Sequence, residues 1–352
     1  MTIKATAKLT EQEYRKIRRD SYSSIKTFAE SRWKYYKEYV LYEKEPDAQS
    51  NDSIMGNLVD CMLTDEENFE NRFLISSAII PKDTSNGYKF VIKLFDITKR
   101  ATSEEGDVGR EMIDMMQEAY NIVGIKKPGF EKWVEDFDGS DLEIWYNELR
   151  GGLGKTVVSV QQVKNAEDIC NTLKRNDNTR EIITLVDDKR WNVHNQLPVM
   201  FSYKRKQLKM LADKVVVDHE NKRIYPYDLK CTWNVTEFPV NYLKVGYYIQ
   251  GCLYRMGLYQ WAIDNDMKDY VVETMTFIAC HSANLEMPLL WKTSEKDCSN
   301  ALEGFSSRGR NYRGVNCIIE DLLWHESSGL WNTSRTAYEN GGKLNMDINY
   351  DY

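Results

Sequence analysis

The stretch Ile224-Tyr-Pro-Tyr-Asp228-Leu229-Lys230-Cys-Thr232 decides how this chain is read. Its aromatic and apolar residues follow the turn-forming run Asp218-His219-Glu220-Asn221, which predicts the second arm of a hairpin over Arg223 to Thr232. Successive side chains on a strand point to opposite faces, so Asp228 and Lys230 share one side while Tyr227 and Leu229 take the other. Charges of both signs on one side of an otherwise apolar hairpin cost free energy unless something uses them. The preceding arm, where Leu208, Met210 and Ala212 alternate into Val215-Val216-Val217, supplies Asp213, and the turn brings it close to Asp228. Two carboxylates so placed suit a hard divalent ion such as Mg²⁺ or Mn²⁺. Such an ion acidifies a bound water and offsets charge on a phosphate, while a neighbouring lysine orients that water. An isolated Asp-x-Lys triplet is more often an ordinary ion pair on an edge strand.

Outward from this hairpin, Val199, Phe201 and Tyr203 alternate as a further strand. A helix over Val160 to Leu173, capped by Ser159, precedes it; a helix over Asn241 to Ile263 and a strand over Val271 to Cys280 follow. The order predicts an α/β fold, a mixed central sheet flanked by helices, over residues 151–335. Residues 1–150 read as a mainly helical extension. Within it, Thr10 to Glu43 is helical with Ser23 and Ser24 as cap candidates, a helix starts at Ser53, and another covers Asp141 to Leu149. Residues 336–352 are Gly-rich, Asn-rich and acidic, and are expected to form a loose tail.

Two helical pairs add to the hairpin. Gly56 and Asp60 are four residues apart and share a face, so the glycine leaves space beside the carboxylate. Gln250 and Tyr254 repeat that spacing on the helix after the Asp-x-Lys strand, and both side chains can contact phosphate or orient a neighbour. Each pair alone is weak.

Taken in order, Gly56 and Asp60, Asp213, Asp228-x-Lys230 and Gln250-x-x-x-Tyr254 resemble the motif set of the RecB-like branch of PD-(D/E)XK nucleases, especially phage exonucleases of the exonuclease VIII type. Leu211 to Lys230 carries most of the resemblance, and Ser23 to Ser31 is similar to the serine-rich opening helix of that group. The resemblance implies a restriction-endonuclease-like core. It implies Asp60, Asp213 and Asp228 as metal ligands with the Leu229 carbonyl, Lys230 serving the attacking water, and Gly56, Gln250 and Tyr254 supporting the site or contacting DNA. It also implies double-stranded DNA digested from its ends, in recombination or phage DNA metabolism, a ring-shaped homo-oligomer, and a single-strand annealing recombinase as partner. Two departures stand out. Asp60 occupies the position where the family has His, which should disfavour softer ions. Arg32 stands where Pro often follows the serine.

Composition bounds the rest. The 352 residues are 42% hydrophobic and 29% charged, as in an ordinary globular protein. A net charge of −7 argues against a protein that coats nucleic acid, but a nuclease needs only a positive channel. The seven cysteines contain no C-x-x-C pair and no cluster, so neither a zinc ribbon nor an iron–sulfur cluster is expected. The opening residues lack an apolar signal core and no long apolar run occurs, so the cytoplasm is the expected compartment, with no membrane association.

Three other signals are weighed against these. Lys204 and Arg205 approach Asp213 along the hairpin and are either a solvated turn or a DNA-backbone contact. Arg308, Arg310 and Arg313 read as a flexible basic loop that could track DNA. Gly151-Gly-Leu-Gly154-Lys155-Thr156 mimics a phosphate-binding loop, but it lacks the first glycine and follows a helix, so no nucleotide is expected. The expected activity is therefore a metal-dependent deoxyribonuclease, most simply an exonuclease. An endonuclease or single-strand nuclease on the same fold, and a non-catalytic nucleic-acid-binding protein that keeps it, are the alternatives.

Overall fold

The computed structural model describes residues 9, 11–43, 51–103, 111–152 and 154–344. At its centre is a six-stranded mixed sheet. Its strands are β1 (Trp191–Tyr203), β2 (Lys206–Asp218), β3 (Arg223–Thr232), β4 (Val271–Val272), β5 (Thr276–His281) and β6 (Leu289–Lys292). They lie in the order β1-β2-β3-β5-β6, with β4 also on β3. Neighbours are antiparallel except that β3 runs parallel to β4 and β5. The parallel step requires a crossover, which the helices between β3 and β4 provide.

Helices cover both faces of the sheet. On one side, Ile25 and Phe28 of the Tyr22–Glu30 helix, Leu258 of the Tyr247–Asp264 helix and Ile318 and Ile319 of the Val315–Ser328 helix pack on Val215, Val217 and Phe277. On the other, Leu58 and Val59 of the Asn51–Thr64 helix and Ile169 and Leu173 of the Val160–Arg175 helix pack on Ile278 and Cys280. A separate apolar cluster, including Phe90, Leu94, Met116 and Trp145, lies within the helices Asn86–Ser103, Met112–Val123 and Asp141–Gly151. Among the described residues no helix is long and apolar enough to cross a membrane.

Several elements differ from the sequence reading. The helix expected over Asn241 to Ile263 is two, Phe238–Lys244 and Tyr247–Asp264, because Gly246 takes a left-handed conformation (φ +81°) between them. The strand expected over Val271 to Cys280 divides into β4 and β5, where Thr274 turns its hydroxyl to the Thr293 carbonyl. The Tyr22–Glu30 helix is capped by Ser21 rather than Ser23 or Ser24; Ser24 Oγ instead accepts from the Ser21 N–H at 2.8 Å. The tail begins with an ordered turn, the helix Arg335–Glu339, whose Ala337 is buried, while residues 345–352 lie outside the described residues. The glycine-rich segment at Gly151 links a helix to the strand Thr156–Ser159, the reverse of a phosphate-binding loop.

Candidate active site

The β2–β3 ladder runs from Asp218 opposite Arg223 to Lys214 opposite Tyr227 and stops there. One step further, where Asp213 would face Asp228, the Asp213 carboxylate accepts the Leu229 N–H at 2.9 Å. This side chain replaces a ladder bond and pins Asp213 to β3. Asp228, only 1% exposed, forms an ion pair with the Lys230 ammonium through Oδ2, an oxygen without a hydrogen bond of good geometry. Gln250 donates to Asp228 Oδ1 at 2.5 Å, and Lys230 Nζ lies 5.0 Å from the centre of the Tyr247 ring. The Tyr254 hydroxyl donates to the Leu211 carbonyl at 3.0 Å. Tyr247, Gln250 and Tyr254 recur at helical spacing, so one face of the Tyr247–Asp264 helix braces this end of both strands.

Asp60 arrives from the opposite side, on the Asn51–Thr64 helix, and lines one cleft of about 460 Å³ with Asp213, Leu229 and Lys230. Its carboxylate is held by a residue that no local pattern marks. Gln196 Nε2 donates to both Asp60 oxygens at 2.9 Å and lies 3.2 Å from Thr64 Oγ1. Gln196 sits within β1 yet has φ +48°, a left-handed conformation that costs a non-glycine residue about 1–3 kcal/mol. Gly56 borders the same cleft, but a Cβ there would meet Cys231 only at an ordinary 3.9 Å. Its lack of a side chain is therefore not a steric requirement.

The electrostatics follow from three carboxylates sharing one lysine. Burial pushes Asp60 up to about 6, opposed in part by Arg72 and Thr64. Burial, then the charges of Asp228 and Asp60, hold Asp213 well above the usual carboxylate range. Asp228 is also raised by burial, with Lys230 and Gln250 opposing. Lys230 is raised because its acidic neighbours outweigh its own burial. A site of this kind holds excess negative charge that a proton or a cation relieves. Among the described residues no three His, Cys, Asp or Glu side chains are already grouped to hold a metal ion, and Asp60 is turned toward Gln196 and Thr64. Asp213, Asp228 and a main-chain oxygen could still hold Mg²⁺, which commonly uses one or two carboxylates and keeps several waters.

The basic candidates lie elsewhere. Lys204 and Arg205 form the β1–β2 turn, both at positive φ, and Lys204 pairs with Glu320. The turn lies eight to nine residues before Asp213 along the chain, on the order of 25–30 Å away. Arg308 to Arg313 is not a loose loop but a hairpin, with Arg308 and Gly309 at its turn and strands Gly304–Ser307 and Arg310–Arg313 beside it. Arg313 is paired with Asp321, while Arg310 is exposed. None of these side chains borders the carboxylate cleft.

No family model matches the chain, and no curated protein matches it significantly. Among solved structures, it is similar to one from Eubacterium rectale, described provisionally as an exonuclease, at 13% identity and a TM-score of 0.46, covering 98% of this chain and 97% of that one.

Proposed function

We propose that this chain is a metal-dependent deoxyribonuclease of the PD-(D/E)XK kind, an exonuclease that digests linear double-stranded DNA. The observation that supports it most is the Asp213 carboxylate on the Leu229 N–H, next to the buried Asp228–Lys230 pair. Asp213, Asp228 and the Leu229 carbonyl would hold Mg²⁺ or Mn²⁺, with Asp60, oriented by Gln196, as a further ligand. The ion, when bound, supplies an acidified water and offsets charge on the phosphate. Lys230 orients the attacking water, Gln250 fixes Asp228, and Tyr254 steadies the strand that carries Asp213. A role in recombination or phage DNA metabolism, a ring-shaped homo-oligomer and an annealing partner belong to the same reading, and a ring would give an acidic chain a locally basic lumen.

The test is degradation of end-labelled linear duplex DNA and of a closed circle with Mg²⁺ or Mn²⁺, comparing the natural protein with Asp228→Ala. Digestion of the linear form alone, abolished by the substitution, is expected. Cleavage of the circle would make the enzyme an endonuclease, and no cleavage with either ion would overturn the catalytic reading.

A further inference from the structure

Only the Lys214–Asp218 end of β2 is covered by β3. Along the remaining edge, a single bridge from Asp20 to Leu208 takes the place of a strand, with Asp20 N–H on the Gln207 carbonyl at 3.3 Å and Lys209 N–H on the Asp20 carbonyl at 2.7 Å. Between this edge, the Glu11–Lys16 helix and the π-helical turn Tyr36–Val40 lies a second cleft, of about 1160 Å³. That exceeds the roughly 300–1,000 Å³ of pockets for small ligands.

Its lining reverses the charge of the chain. Six cations face it, among them Arg15, Lys16, Arg18 and Arg19, against two carboxylates, Asp20 and Glu326, in a protein of net charge −7. Both of those carboxylates are already paired with Lys206. Lys209 is committed to structure, donating to the carbonyls of Tyr14 and Ile17 at 2.9 Å. Arg15, Lys16 and Arg18 are exposed. Aromatic rings line the cleft as well. Tyr39 and Tyr36, both half-buried, stack on the buried rings of Tyr35 and Trp331, which stack on each other, with ring centres 5.2–5.8 Å apart and planes within 25°, so the core fixes the orientation of the two outer rings. Tyr42, 64% exposed, presents its ring to the Arg18 guanidinium at 5.2 Å.

The cleft ends against the carboxylate site. Leu211 and Tyr254 line it, two positions from Asp213 and one helical turn from Gln250. Tyr22 lines it too, and its hydroxyl donates at 3.1 Å to the carbonyl of Val245, a residue of the carboxylate cleft. The two clefts are therefore neighbours, with the Tyr22–Val245 hydrogen bond between them.

Exposed cations beside the accessible rings of Tyr36, Tyr39 and Tyr42 suit a chain of phosphates whose bases are unpaired, since a duplex keeps its base faces stacked on one another. We propose that this second cleft holds a single-stranded stretch of the nucleic acid cut at the carboxylates, an assignment that rests on the nuclease reading above.

Fluorescence anisotropy with a labelled oligo-dT, in EDTA so that binding is read apart from cleavage, tests it. Lys16→Glu with Arg18→Glu should weaken binding at least about tenfold and flatten its dependence on salt by roughly 1.4 in log–log slope, the value for two lost contacts to a single strand. Tyr42→Ala, at an exposed ring, should weaken it about 5- to 100-fold with an unchanged melting temperature. A blunt duplex should bind more weakly than the single strand and be indifferent to Tyr42→Ala. If folded variants bind the single strand as the natural protein does, or if the duplex binds equally well and Tyr42→Ala changes neither, the assignment is overturned. Binding that depends on these residues in a protein that cleaves nothing with Mg²⁺ or Mn²⁺ would sink the nuclease reading and leave the cleft. Cleavage with cleft-independent binding would do the reverse.

Discussion

Gln196 holds both oxygens of Asp60 at 2.9 Å while its own backbone is left-handed inside a strand. Backbone in so sparsely populated a region persists where the surroundings over-determine it. Gln196→Gly removes the clamp and the strain together, so its stability should stay within about 1 kcal/mol of the natural protein, the lost hydrogen bonds offsetting the relaxed backbone. Cleavage should still fall about 10- to 100-fold, as when a residue that orients a ligand is lost. Melting curves and single-turnover rates on the same samples decide the matter; a loss of rate only in proportion to a loss of folded protein would make Gln196 a purely structural residue.

Lys230 is the cation that three carboxylates share. Removing one partner of a buried pair leaves the other uncompensated, so Lys230→Ala should destabilise the metal-free protein by about 3–5 kcal/mol. Added Mn²⁺ should restore part of that stability, and Asp213→Asn with Asp228→Asn should abolish the Mn²⁺ effect. Thermal melts with and without the ion check both statements, and an ion effect that survives the double substitution would place the ion elsewhere.

Asp60 carries a pH prediction. Its folded value, pushed up to about 6, lies above its ordinary one, so the native state binds the proton more readily than the unfolded chain. The ionised form therefore costs stability, a cost absent at low pH and complete above about pH 6. A two-unit shift corresponds to about 3 kcal/mol, and the partial exposure of Asp60 lowers this to about 1–2 kcal/mol. Metal-free Asp60→Asn should be the more stable protein at pH 8, with the difference closing by about pH 4. Urea denaturation across that range would show it, and a difference independent of pH would refute the assignment.

Proton and cation compete for the same oxygens, which gives a fourth expectation. Affinity for Mg²⁺ should fall as pH drops through about 6, and protons should be released on binding. Calorimetry in two buffers of different ionisation enthalpy measures that release directly; zero release at pH 6 would mean that Asp60 does not take part.

The meeting of Asp213, Asp228 and Lys230 was legible because it depends on two local facts, the two-residue period of a strand and the turn at Asp218 to Asn221. β3 spans Arg223–Thr232, as its flanking turn and apolar pattern predict. Gln196 was not legible, since its partner lies 136 residues away and its conformation has no signature in a glutamine. Nor was the fate of the basic residues. Lys204 and Arg313 meet Glu320 and Asp321 on one helix, and a pairing across more than a hundred residues, as for Lys204, leaves no trace in spacing. The second cleft escaped for a related reason. Tyr36, Tyr39 and Tyr42 lie more than 160 residues before β2, and nothing in their spacing shows that they line a groove along its uncovered edge.

That strand is one unbroken piece of backbone from Lys206 to Asp213, about 24 Å at the usual rise. From Lys206 to Leu211 it borders the basic groove, and its far end carries a carboxylate of the candidate site. Grip and cut would then be set on a single rigid ruler with no hinge between them, so the interval between the place where a strand is held and the place where it is severed is a constant of the fold.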